Sequence, residues 1–199
     1  MLGGGGVGGG GGVKLWLKLN NFKVHNICMT HLLALLLKPF ISGVVPLDLL
    51  AIIRILAKNG QFSIFQYNEA LKRLGFRSYE SSDKPCPVPV TYSKKVTKLK
   101  GKAISHWVHV RNWPLIIRNI VKDQDDPVVN LGLKLHEIVE RLTANEFLPY
   151  EIDLLAEKVI QYFELRKTLR VEYPNIMPNP KPKHHYLRKN AFIIIYWGR

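Results

Sequence analysis

Three groups of side chains in this sequence are of types that could do chemistry. His25, Cys28 and His31 repeat at a spacing of three, which puts them on part of one helix face where they could touch a metal ion. A zinc site needs a fourth ligand or an open position, and none is close in sequence, so packing is the plainer role. His184 and His185 stand inside Lys181-Pro182-Lys183-His184-His185-Tyr186. In an extended basic tail they could bind metal weakly or contact phosphate, although adjacent side chains diverge along an extended chain. Glu137, Glu140, Glu151, Asp153, Glu157 and Glu164 could supply a metal-binding pair, but they alternate with Arg141, Lys158 and Arg166. That is the pattern of solvated helix faces carrying i,i+4 ion pairs. No cofactor or metal is therefore expected.

Charge points elsewhere. Lys and Arg number 29 against 15 Asp and Glu, a net charge of +14. Between Asp83 and Asp123 there is no acidic residue, and Lys94, Lys95, Lys98, Lys100 and Lys102 lie in that gap. Such a field attracts polyanions, nucleic acid first among them, through salt-sensitive phosphate contacts. The alternative is a solvated lysine loop with no partner. Two cysteines, Cys28 and Cys86, form no CxxC and no disulfide framework, which fits a reducing intracellular compartment. The apolar stretch from Leu32 to Leu56 is interrupted by Lys38, Pro39, Pro46, Asp48 and Arg54. It falls short of the ~18–20 residues of a membrane span, so no membrane partner is expected. The glycine-rich start lacks the basic and apolar regions of a signal peptide.

The elements that must position these groups are mainly helical. Residues 1–12 are a glycine tail, whose match to GxGxxG is trivial because nearly every position is Gly. Alternation over Val13, Leu15, Leu17 and Leu19 suggests a short strand, the one place for a β pair. Helices are predicted over about His25–Lys38, about Pro46–Lys58 with proline in the first turn, and from the Ser63–Gln66 capping box to about Leu74. Asn59-Gly60 stops the second of these, and Phe65, Leu71 and Leu74 should be buried in the third. Residues 76–102 read as a long basic Pro/Lys loop. Helix returns at about Ala103–Val121, with a kink at Pro114, then from Asp126-Pro127 to about 143, and from about Pro149 to Leu169. The organisation is one helix-rich domain over 13–170, an irregular bundle of five or six helices, followed by a Pro/Lys-rich tail and an apolar end over 171–199.

Three blocks read together resemble a family of transposon-encoded, transposase-like proteins of animals, relatives of cut-and-paste transposases with an RNase H-like core. The first is Gly43-Val44-Val45-Pro46-Leu47-Asp48-Leu49 with Gln61-Phe62-Ser63 and Tyr67-Asn68. The second runs from Gly101-Lys102-Ala103 through Trp107, Trp113-Pro114-Leu115-Ile116 and Asp125-Asp126-Pro127 to Leu135-His136-Glu137-Ile138-Val139-Glu140. The third, Pro182-Lys183-His184-His185-Tyr186-Leu187, is the most specific, and the resemblance covers about residues 30–187.

That resemblance implies RNase H-like chemistry, in which clustered carboxylates hold two divalent metals. Where the family has a histidine, an aspartate and a glutamate before its matching glycine, this chain has Lys38, Pro39 and Ser42. Proline cannot bind metal, and neither lysine nor serine replaces a carboxylate. After the third block the family's arginine-, glutamate- and histidine-bearing strand is replaced by Arg188 to Trp197, as after a frameshift. The implied protein is a degenerate transposase-like fragment with no catalytic activity of its own, intracellular or nuclear, retaining non-specific nucleic-acid binding. The alternative is a helical protein-interaction module presenting Trp107 and Trp113.

Overall fold

In a computed structural model the described residues are 40–75, 83–90, 96–144, 149–185 and 187. The glycine tract, the strand over 13–19, the helix over 25–38 with His25, Cys28 and His31, and Pro39, Lys94 and Lys95 lie outside them.

The described residues are mainly helical, with no strand among them. A π-helical turn, Phe40–Val44, runs directly into α1 (Val45–Lys58); α2 (Ile64–Arg73), α3 (Ala103–Arg111), α4 (Trp113–Ile117), α5 (Pro127–Leu142) and α6 (Pro149–Glu172) follow. Val45, Leu49, Leu50, Ile52, Ile53, Ile55 and Leu56 of α1 are all essentially without exposed surface. A helix apolar on every side must be enclosed. Phe40–Lys58 is in fact long and apolar enough to cross a membrane, with a mean hydropathy of 2.1, contrary to the expectation from its interruptions. Pro46 sits in the first turn of α1 and does not break the run, and Asp48 is paired. Most of the stretch, 78%, is buried against the rest of the chain, so its hydropathy is that of a core helix.

Local signals set the ends. α1 stops in a Schellman arrangement: the Gln61 N–H reaches the Leu56 carbonyl at 3.0 Å, the Gly60 N–H reaches Ala57 at 3.1 Å, and Gly60 takes φ 72°. Ser63 and Gln66 exchange the two bonds of a capping box, and the Asp126 carboxylate accepts from the Val128 N–H at 2.7 Å ahead of Pro127. Predicted helix 103–121 is instead two helices broken at Asn112, because Pro114 has no N–H for the Val110 carbonyl. That carbonyl is taken by Nδ1 of His136, 3.2 Å away on α5.

α5 packs on α1, α3, α4 and α6, with the stripe Val128, Leu131, Leu135, Ile138 and Leu142 facing inward. Its Gly132 lies flat against the Trp113 indole, where a Cβ would stand 2.5 Å from Nε1. Phe65 departs from expectation at 67% exposed, and Leu74 is only half-buried; α2 buries the expected Leu71 together with Tyr67 and Asn68. The loop after α2 is pinned by Asn68, whose amide donates to the Val88 carbonyl at 2.8 Å and accepts from its N–H at 2.9 Å.

Candidate nucleic-acid interface

From Val96 to Lys102 the lysine segment is anchored to its surroundings. Leu99 is buried and its N–H donates to the Pro46 carbonyl at 2.9 Å, which turns its neighbours Lys98 and Lys100 outward. Extended backbone alternates its side chains, so one buried anchor sets both neighbours. Gly101 takes φ 135°, and a Cβ there would meet Ser105 Oγ at 2.3 Å, so only glycine makes the turn into α3. Lys102 is the exposed N-cap of α3 and bonds no backbone N–H through its side chain. Burial holds the His106 imidazole below its usual pKa; a bond to the Gly101 backbone opposes this, and the Lys98 charge adds to it. A groove of about 410 Å³ runs between the segment and the turn before α1, lined by Ser42, Pro46, residues 96–101, Ala103 and His106. No carboxylate is among them.

A buried polar cluster is centred on Asp48, in the first turn of α1. Asp48 has no exposed surface and accepts from Arg166 Nε at 2.7 Å and Nη2 at 3.0 Å, from the Tyr162 hydroxyl, and from His184 Nε2 at 3.1 Å. Burial alone would raise the Asp48 pKa, but the hydrogen bonds and charges of His184 and Arg166 outweigh it and leave it lowered to about 2. Burial and the Asp48 charge push the Tyr162 phenol well above its ordinary value. The Lys181 N–H donates to His184 Nδ1 at 3.0 Å, so it is Nε2 that donates to Asp48. Arg166 also bonds the Pro178 carbonyl at 2.9 Å.

Sequence reasoning missed this cluster. Asp48 counted there as an interruption of an apolar run and a member of the first resembled block, and Arg166 as a partner for glutamates on a solvated face. Arg166 is buried and belongs to Asp48. Two of those glutamates pair between helices rather than along one: Lys158 bridges α6 to Glu137 of α5 at 2.8 Å, and Arg111 of α3 reaches Glu140 at 3.3 Å. The usable signal was the acid itself, because a carboxylate inside an apolar helix requires a partner somewhere in the chain.

Where a Pro/Lys-rich tail is expected, residues 173–185 and Leu187 follow α6 and several of them pack into the core. Met177, His184 and Leu187 are buried, and residues 182–185 form a helical turn. His184 points in and His185 out, as neighbours should. Trp113 is wholly buried, which removes it from any interaction surface. Trp107 is partly exposed beneath the Arg111 guanidinium, 5.0 Å from its ring centre. Among the described residues no three His, Cys, Asp or Glu side chains are grouped as metal ligands. A larger groove of about 970 Å³ lies between α1 and residues 174–179, and its two arginines, Arg54 and Arg170, already hold the Val96 and Pro174 carbonyls. Comparisons with protein-family models, with curated proteins and with solved structures find no match.

Proposed function

We propose that this chain is a transposase-like protein without catalytic activity of its own that binds nucleic acid non-specifically through its lysine segment. The observation that carries the reading is the anchoring of Leu99, which holds Lys98 and Lys100 exposed on a groove wall without acids, with Lys102 exposed beside it. Lysine ammonium groups meet phosphates as point charges and need no fixed base geometry, so binding is indifferent to sequence. Two further observations support the resemblance and the loss of catalysis. Gly43 and Asp48 of one resembled block touch Lys183 and His184 of another. Asp48 faces Arg166 rather than solvent, a poor position for a metal ligand.

The test is a fluorescence-anisotropy titration on duplex DNA at several salt concentrations. Lys94, Lys95, Lys98, Lys100 and Lys102 should contribute roughly −4 to −5 to the slope of log affinity against log salt, and replacing all five with alanine should remove that much. Affinity that resists salt and fails on Trp107→Ala would instead indicate stacking on single strands. No binding at low salt would refute the proposal, and so would metal-dependent nicking of supercoiled DNA that a single carboxylate substitution abolishes.

A further inference from the structure

The lysine segment and the C-terminal segment meet on one turn of helix. Ser42 and Pro46, four residues apart, line the groove shared with Lys98 and Lys100, and Pro46 holds the Leu99 N–H. Gly43, beside Ser42, is covered by Lys183: a Cβ at Gly43 would stand 2.1 Å from Lys183 Cδ and 3.1 Å from Nζ. One turn of helix advances only about 5.4 Å, and duplex DNA presents a charge every ~1.7 Å of its axis. Lysines carried by two segments that both rest on residues 42–46 can therefore meet neighbouring phosphates of a single duplex. Lys181 and Lys183 are exposed, while the one carboxylate of α1, Asp48, is buried on Arg166.

Lys183 is held there by its neighbour. His184 is 1% exposed and is gripped at both ring nitrogens, by the Lys181 N–H at 3.0 Å and by Asp48 at 3.1 Å. The ring of Phe163 stands edge-on to it, centres 6.4 Å apart. These contacts fix the helical turn over 182–185 and leave the Lys183 side chain lying across Gly43, where no Cβ interferes.

We infer that Lys183 belongs to the polyanion-binding surface together with Lys98, Lys100 and Lys102, and that His184 is the residue that positions it. The interface is then built from two segments distant in sequence, with the His184–Asp48 contact holding the second in place. This rests on the nucleic-acid-binding reading above, and the experiment separates the two.

The full-length chain is titrated against a fluorescein-labelled random-sequence DNA duplex at several salt concentrations. Lys183→Ala should make the slope shallower by about one unit, and Lys183→Arg should restore it. Lys167→Ala, an exposed lysine on α6, should change nothing. His184→Ala should cost the same unit as Lys183→Ala, and the double variant should cost no more than either alone. If circular dichroism shows His184→Ala unfolded, the Lys183 pair and the Lys167 control decide the question. An unchanged slope in Lys183→Ala, while the five-lysine variant loses its share, overturns this inference and leaves the binding reading standing. An equal loss in Lys167→Ala also overturns it, because the effect would then be one of net charge. No binding by the unaltered chain overturns both.

Discussion

Asp48 decides more at the scale of single residues than any histidine or lysine singled out from the sequence. Removing its charge by Asp48→Asn leaves Arg166 buried and uncompensated, a change that costs about 3–5 kcal/mol in comparable settings. Urea unfolding at neutral pH should show that loss. Acid should act in two windows. His109 Nε2 shares a hydrogen bond of 2.6 Å with the Tyr67 hydroxyl, and burial, helped by the nearby His106, lowers its pKa from 6.5 to about 3. The unfolded chain therefore takes up this proton first, and stability should fall as the pH drops from about 6.5 towards 3. The lowered pKa of His106 acts with the same sign. Asp48 titrates near 3.8 when unfolded and about 2 when folded, so its contribution, about 2 kcal/mol, is complete above 3.8 and is lost only below it. The slope of urea midpoints against pH should thus become shallower between 6 and 4 in His109→Gln, which keeps a hydrogen-bonding group for Tyr67 but cannot titrate, and stay as it is there in Asp48→Asn. A wild-type profile flat from 6.5 to 4 would sink this account.

At the scale of elements, most of what was legible in the sequence was local chemistry. Ser63 with Gln66, Asn59-Gly60, and Asp126-Pro127 each act within a few residues, and the ends they predict for α1, α2 and α5 match the structure closely. What was hidden depends on partners brought in by folding. Nothing near Phe65 says that α2 turns it to solvent, because Tyr67 already fills that side of the core against Phe62, His109 and Trp113. The pairing of Asp48 with His184 spans most of the chain and leaves no periodic trace. The resemblance picked out both blocks without saying that they touch. Gly132 is a similar case, since a glycine inside a predicted helix reads as a weakness. Its place against Trp113 reverses the expected sign of a substitution. Gly132→Ala should gain up to ~1 kcal/mol of helix propensity, yet force a rigid buried indole aside at a cost of about 1–3 kcal/mol. A lowered thermal midpoint with unchanged helical circular dichroism is the expected outcome. A raised midpoint would mean that Trp113 has room to move.

For the whole molecule, a charge of +14 on 199 residues sets two salt effects against each other. Like charges repel within the compact state, so screening them should stabilise the protein itself. The same ions compete with phosphate contacts and should weaken any polyanion bound to the lysine surface. Bound DNA raises the unfolding midpoint by mass action, and that increment shrinks as affinity falls. Thermal melts of the free chain should therefore rise between about 50 and 200 mM salt, while the extra stabilisation given by a fixed amount of duplex DNA should fall across the same range. A variant lacking Lys94, Lys95, Lys98, Lys100 and Lys102 should begin with a higher midpoint at low salt, respond less to salt, and gain little from DNA. A melt that falls with salt in the absence of DNA would show that attractive surface pairs, such as Lys158–Glu137, outweigh the repulsion. A salt-independent gain from DNA would place the binding in stacking or apolar contact, away from the lysine segment.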